Sequence, residues 1–238
     1  MSASSTAMTS STSMYGSAFW ELLWRASGIG AVVFAIIAWF IYGSQPHTGA
    51  PADALVAFYQ GERTRILIGA IVAGFATLNL MWFAAAIRVT LADAGKDGWG
   101  AAATASSAAV GGLFVLLIAA SATLAYSTAA GNQAFTSGLN DFGWGCWVVS
   151  SFPRAMLIMS GTLGLWRAGL ISNSLFTAGL AALVLVLLGG TTWLSDGFWS
   201  PYGVYSQFIS PIIGIVWILV MSRILLTRIP DAHVGGDF

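Results

Sequence analysis

Six stretches of this chain are long and apolar enough to cross a bilayer as helices, and that constrains the fold more than any other feature. A hydrocarbon core of about 30 Å calls for about 20 apolar residues in a helix. The stretches near 18–43, 66–89, 101–127, 143–166, 173–195 and 207–227 meet that length. Composition agrees: 57% of residues are apolar and 8% charged, where a soluble domain carries about a quarter charged. The reading is an all-α, polytopic six-transmembrane-helix bundle over residues 18–228. It is flanked by a Ser/Thr-rich tail at 1–17 without charge or periodicity, read as disordered, and a short tail at 229–238. A signal peptide is not expected, because the first basic residue, Arg25, falls inside the first apolar stretch instead of ahead of it.

The connections are too short to house a second domain. In the longest, 44–65, the run ADALVAFYQ places Leu55, Val56, Phe58 and Tyr59 on one stripe of a short helix, expected to lie flat at the interface. Six crossings put both termini on one side. Arg25, Arg88, Lys96, Arg167, Arg223 and Arg228 fall on that side, against Arg63 and Arg65 on the other, so the positive-inside rule makes both termini cytoplasmic. The outer loops at 128–140 and 196–206 contain no basic residue.

The charge balance, nine Lys+Arg against nine Asp+Glu, leaves no electrostatic footprint for nucleic acid. One cysteine and two histidines far from the apolar stretches provide no disulfide framework, no metal site and no haem ligation, so no cofactor is expected. HExxH, GxSxG and phosphate-cradling glycine loops are absent, so no catalytic residue is assigned and enzymatic activity is disfavoured.

Most of the eleven Trp fall where interface belts belong. In the outer loop, Trp193, Phe198, Trp199, Tyr202 and Tyr205 crowd around Asp196, which reads either as membrane anchoring or as a stacking pocket for a ligand. Small residues at four-residue spacing, Ala70/Gly74, Ser160/Gly164 and Ala178/Ala182, argue for close helix packing. Glu21 and Arg25, four apart, form an intrahelical pair.

Arg154 is the one basic residue far from both ends of its segment. Thirteen residues before Arg167, at about 1.5 Å each, it lies roughly 20 Å from the inner boundary, at or just past mid-membrane. An Arg there costs roughly 2.5–3.5 kcal/mol on insertion scales and marks a candidate site. No carboxylate reaches that depth. Asn79, nine residues from Arg88 and so about 13–14 Å deep, is within reach of the long side chain if the second and fourth helices touch, and Pro153 frees backbone carbonyls in the preceding turn. Two readings stand. Either Arg154 is satisfied by carbonyls, Asn79 and buried water, or it lies in a polar pocket that opens outward to an anionic headgroup or ligand.

The segments FYQGERTRILIGA, FPRAMLI, WRAGLISNSLFTAG and VWILVMSRILLTR resemble those of a group of six-helix bacterial membrane proteins common in actinobacteria. The resemblance implies the six-span topology and brings no catalytic residue, cofactor or substrate with it. Two functions are expected from the whole. The first is binding or moving a small amphipathic or anionic, lipid-like ligand within the bundle, through Arg154, Asn79, Pro153, Trp193, Asp196, Trp199 and Tyr202. The second is service as an accessory subunit packed against a membrane protein partner or a second copy. Membrane lipids are the expected surroundings in both.

Overall fold

The structure is a computed structural model and describes residues 19–127 and 133–227. Among these residues every regular element is helical. In chain order they are α1 (Phe19–Arg25), α2 (Ser27–Tyr42), α3 (Ala52–Gly61), α4 (Arg63–Asp93), α5 (Asp97–Ser127), α6 (Gln133–Val149), α7 (Ser151–Arg167), α8 (Asn173–Leu188) and α9 (Ser210–Leu226). A 3-10 turn at Gly189–Thr191 follows α8, and a π turn at Tyr205–Ile209 leads into α9. Five helices are long and apolar enough to cross a membrane, with α6 and α7 forming one run from Ala134 to Arg167. The number rises to six when α1 and α2, bent by 51°, are taken as one span. The tails 1–17 and 229–238 lie outside the described residues.

The segment expected as one helix over 18–43 is therefore two. At the break, Ser27 Oγ donates to the Trp24 carbonyl and competes for the acceptor that a continuous helix would offer to the Gly28 N–H. Arg25 holds the bend in place. It pairs with Glu21 at 2.6 Å and its Nη1 donates to the Leu225 carbonyl at the end of α9.

The fourth span also differs from expectation, because it starts at Ala134 and not near 143. The early turns, AFTSGLND, are too polar to read as apolar, but α3 packs over them and buries Thr136 and Asn140. The expected outer loop 128–140 is thus largely helix, with 128–132 outside the described residues. The stripe of α3 faces protein: Leu55 and Tyr59 are fully buried with Ile66 and Leu124. The α6–α7 run yields at Ser150 because Pro153, having no N–H, cannot bond the Val149 carbonyl four residues back.

The main core joins Phe83, Ile87 and Leu91 of α4 to Ile158 and Leu165 of α7 and Trp217, Met221 and Leu225 of α9. Trp217 lies over Gly161, where an added Cβ would sit 2.8 Å from the indole, and its Nε1 donates to Thr162 Oγ1 at 3.0 Å. The three small-residue pairs behave differently from one another. Gly164 meets Leu91 and Trp99 at close range, whereas Gly74 has nothing within 4 Å of an added Cβ and Ala178 is exposed. Only Ser160/Gly164 makes the close contact expected of all three.

Gly161→Leu should therefore destabilise the protein by about 1–3 kcal/mol through overpacking, while Gly74→Leu should stay within about 0.5 kcal/mol of wild type. Thermal unfolding of purified protein monitored by fluorescence-detected gel filtration would check the pair. Equal melting temperatures for both variants would show the Trp217 packing to be misplaced.

Candidate functional site

A cavity of about 850 Å³ lies inside the bundle, walled by α2, α4, α5, α6, α7 and α9. Its lining is mostly apolar and unusually rich in small side chains, among them Ala31, Ala35, Ala73, Gly69 and Gly214. An added Cβ at Gly214 would meet nothing within 4 Å. Helices lined this way leave space that Leu or Phe would fill, and the π turn before Pro211 adds Gln207 and Phe208 to the wall. Pro211 cannot donate to the carbonyl four residues back, and the wider turn ends with the Ser210 N–H on the Tyr205 carbonyl.

Among the described residues Arg154 is the only charged side chain on this wall. It is half-buried and lines the cavity. Its Nη2 donates to Ser151 Oγ at 2.7 Å, and its Cζ lies 5.1 Å from the centre of the Trp147 ring. Nε is buried without a hydrogen-bond partner, and no Asp or Glu among the described residues pairs with the guanidinium. Close by, Ser210 Oγ is a second buried polar atom without a partner. Both Ser151 Oγ and Ser210 Oγ lie within 3 Å of the space that a Gly189 Cβ would fill. One charged hydrogen bond contributes about 1.5–3 kcal/mol and a desolvated cation–π contact about 2 kcal/mol. These orient the cation but leave its charge without a counter-charge.

The expected partners are arranged differently. Asn79 is not brought to Arg154: its Nδ2 donates to the Phe75 carbonyl at 2.9 Å, and its Oδ1 packs 2.6 Å from where a Gly30 Cβ would be. It belongs to the α2–α4 contact, on a face of α4 turned from the cavity. Pro153 breaks the helix as expected, yet the guanidinium turns to the Ser151 hydroxyl and not to a freed carbonyl.

The loop aromatics leave Asp196 exposed beside Gly197. Their polar atoms are satisfied within the loop and its flanks. Trp193 Nε1 donates to the Gly190 carbonyl at 3.0 Å, Trp199 Nε1 to the Thr191 carbonyl at 3.0 Å and the Tyr202 hydroxyl to the Ser195 carbonyl at 2.9 Å. Trp199 and Tyr205 pack ring to ring at 4.4 Å. None of Trp193, Asp196, Trp199 and Tyr202 lines the cavity.

Trp147 is the important residue that the sequence reading did not single out. It stacks on Phe114 at 6.1 Å, donates from Nε1 to the Ser206 carbonyl at 3.2 Å and presents its face to Arg154. The available signal was spacing: Asn140, Trp147, Arg154 and Gly161 recur every seven residues, which places them on one face of a continuous helix. Asn140, fully buried, is the hub at the α3 end. Its Oδ1 accepts from the Tyr59 hydroxyl at 2.9 Å and from Gln45 Nε2 at 3.1 Å, and its Nδ2 donates to the His47 carbonyl at 3.2 Å. Burial, reinforced by neighbouring Tyr42, pushes the Tyr59 phenol well above its ordinary range.

Comparison with family models, with curated proteins and with solved structures finds no match to this chain.

The raised Tyr59 value has a definite sign. The folded protein keeps the phenol protonated, whereas the unfolded chain releases the proton above about pH 10. The stability due to this group is therefore present below that pH and lost as pH rises past it. Tyr59→Phe should lower stability at neutral pH by about 1 kcal/mol, the worth of one hydrogen bond, and flatten the alkaline loss. Urea midpoints measured on either side of pH 10 would check this, and a Tyr59→Phe profile parallel to wild type would contradict it.

Proposed function

We propose that this protein is a six-span bacterial inner-membrane protein of the actinobacterial type noted above, with both termini cytoplasmic, which binds a small amphipathic anion in its central cavity. The observation that carries the reading is Arg154. A guanidinium at this depth costs roughly 2.5–3.5 kcal/mol on insertion scales, and in a small bundle such a charge is ordinarily placed against a carboxylate. Here the guanidinium donates to the Ser151 hydroxyl and lies against the Trp147 face, and the adjoining space is a cavity. The cavity volume of about 850 Å³ falls in the range of about 300–1,000 Å³ typical of ligand pockets, mostly apolar with a few placed polar groups. A ligand with an anionic head and an apolar body supplies what the wall lacks. Whether the ligand is held or carried across follows from neither the cavity nor the charge, and binding is the part proposed.

A second reading, a subunit packed against a partner membrane protein, is supported by outward faces with small residues. An added Cβ at Gly74 or Gly112 meets nothing, and Ala178 is exposed, so a partner helix can approach there.

Wild-type protein purified in mild detergent should retain about one amphipathic anion per chain, measured by lipid extraction and quantitative mass spectrometry. Arg154→Gln should remain monodisperse and lose roughly nine-tenths of it, the effect of removing one charge-assisted contact. Equal retention by both proteins contradicts the site. A protein co-purifying in fixed ratio with both, without a bound anion, supports the second reading instead.

A further inference from the structure

The cavity has an opening whose position bears on how a ligand reaches Arg154. α2 and α9 touch near one end, where an added Cβ at Gly28 would collide with Ser222 Oγ and Arg25 bonds the Leu225 carbonyl. α2 meets the π turn leading into α9 through Trp39 and Phe208, whose rings lie 5.8 Å apart edge to face. The stretch of α2 between Gly28 and Trp39 is about 16 Å long at helical rise. Within it Ala35 and Ile36 of α2, and Ile212 of α9, line the cavity and are exposed, and the cavity itself is only partly enclosed. Residues with both properties mark a side window. That window faces the lateral, apolar surface of the bundle, where Val33, Ile37, Phe40 and Val216 are also exposed.

The charge inside sets the second condition. Among the described residues Arg154 is the one charged group on the wall, and no second cation or histidine lines the cavity to balance a second negative charge. A buried charge without compensation is costly whichever its sign. One cation balances one negative charge. A dianionic phosphate monoester would leave an excess charge in an apolar chamber, and a neutral head would leave the guanidinium as it stands.

Resting on the ligand-site reading above, we infer that the ligand is a single-chain amphiphile with a monoanionic oxygen head, admitted sideways from the bilayer between α2 and α9. The head sits at Arg154 under the Trp147 face. The chain lies in the apolar part of the cavity, among Ala31, Leu80 and Ile158, and through the window. A fatty carboxylate and a one-chain phosphodiester lipid share this chemistry, and Trp39 with Phe208 forms the rim that the chain passes.

The test uses the full-length protein in phosphatidylcholine nanodiscs and a diazirine-bearing palmitate as photolabel. Competition by palmitate or by one-chain lyso-phosphatidylglycerol should suppress labelling, and the two competitors separate the carboxylate from the phosphodiester source. Hexadecanol and the dianionic lyso-phosphatidate should compete roughly tenfold or more weakly. This series needs no variant, so it stands even where a substitution unfolds the protein. Ala35→Trp, which plugs the window and leaves Arg154 untouched, should slow labelling at least about tenfold, whereas Arg154→Gln should abolish saturable labelling. Saturable labelling lost in Arg154→Gln but unchanged in Ala35→Trp overturns sideways admission and leaves the ligand site intact. Labelling indifferent to Arg154→Gln overturns both. Hexadecanol or lyso-phosphatidate competing as well as palmitate overturns the monoanion assignment.

Discussion

The arrangement of this bundle turns on one half-buried guanidinium that lines the cavity and has no Asp or Glu partner among the described residues. Arg154 is oriented by a hydrogen bond to Ser151 and by the face of Trp147, but neither neighbour carries negative charge. In a low-dielectric interior that imbalance is large compared with any single packing contact. The elements around the cation also keep space open beside it. Alanine and glycine line α2, α4 and α9 where larger residues would close the gap.

That space depends on irregular backbone. The α6–α7 run yields next to Pro153, the 3-10 turn at Gly189–Thr191 brings glycine against Ser151 and Ser210, and the π turn before α9 places Gln207 and Phe208 on the cavity wall. Within a hydrocarbon layer, irregular backbone is tolerated only where protein or a polar cavity surrounds it, and all three breaks cluster around Arg154. Elsewhere the packing is tighter. Arg25 spans from Glu21 to the last turn of α9 and holds the bend between α1 and α2, and Trp217, which also lines the chamber, fills the hollow over Gly161. The Asn140 hub and α3 cover the chamber's other end.

Much of the fold was legible because bilayer thickness imposes length and apolarity on each span, and five helices long and apolar enough to cross a membrane coincide with stretches read from sequence. The misses share a cause, since each depended on a neighbour distant in sequence. The start of α6 is polar and becomes a buried helix only under α3. The first span bends because Ser27 competes locally and Arg25 is anchored 200 residues away. Arg154 stood out as a lone charge, which is a property of one position. Asn79 was matched to it by depth alone, and depth does not fix the direction a side chain takes around a helix; its oxygen faces Gly30 instead. Composition showed that the loop at 193–205 is crowded with rings, but not that its indoles and hydroxyls would be satisfied by the backbone around them. Trp147 was within reach of a seven-residue count from Arg154 inside the span read over 143–166, whereas Asn140 lies ahead of that span.

The most direct measurement is a high-resolution cryo-electron microscopy map of the full-length protein in nanodiscs made from native membrane lipid. An elongated non-protein density, with its head against the Arg154 guanidinium and its body in the cavity between α2 and α9, is the result this account predicts. A chamber filled by side chains, or Arg154 turned onto a carboxylate or out into bulk water, would contradict it.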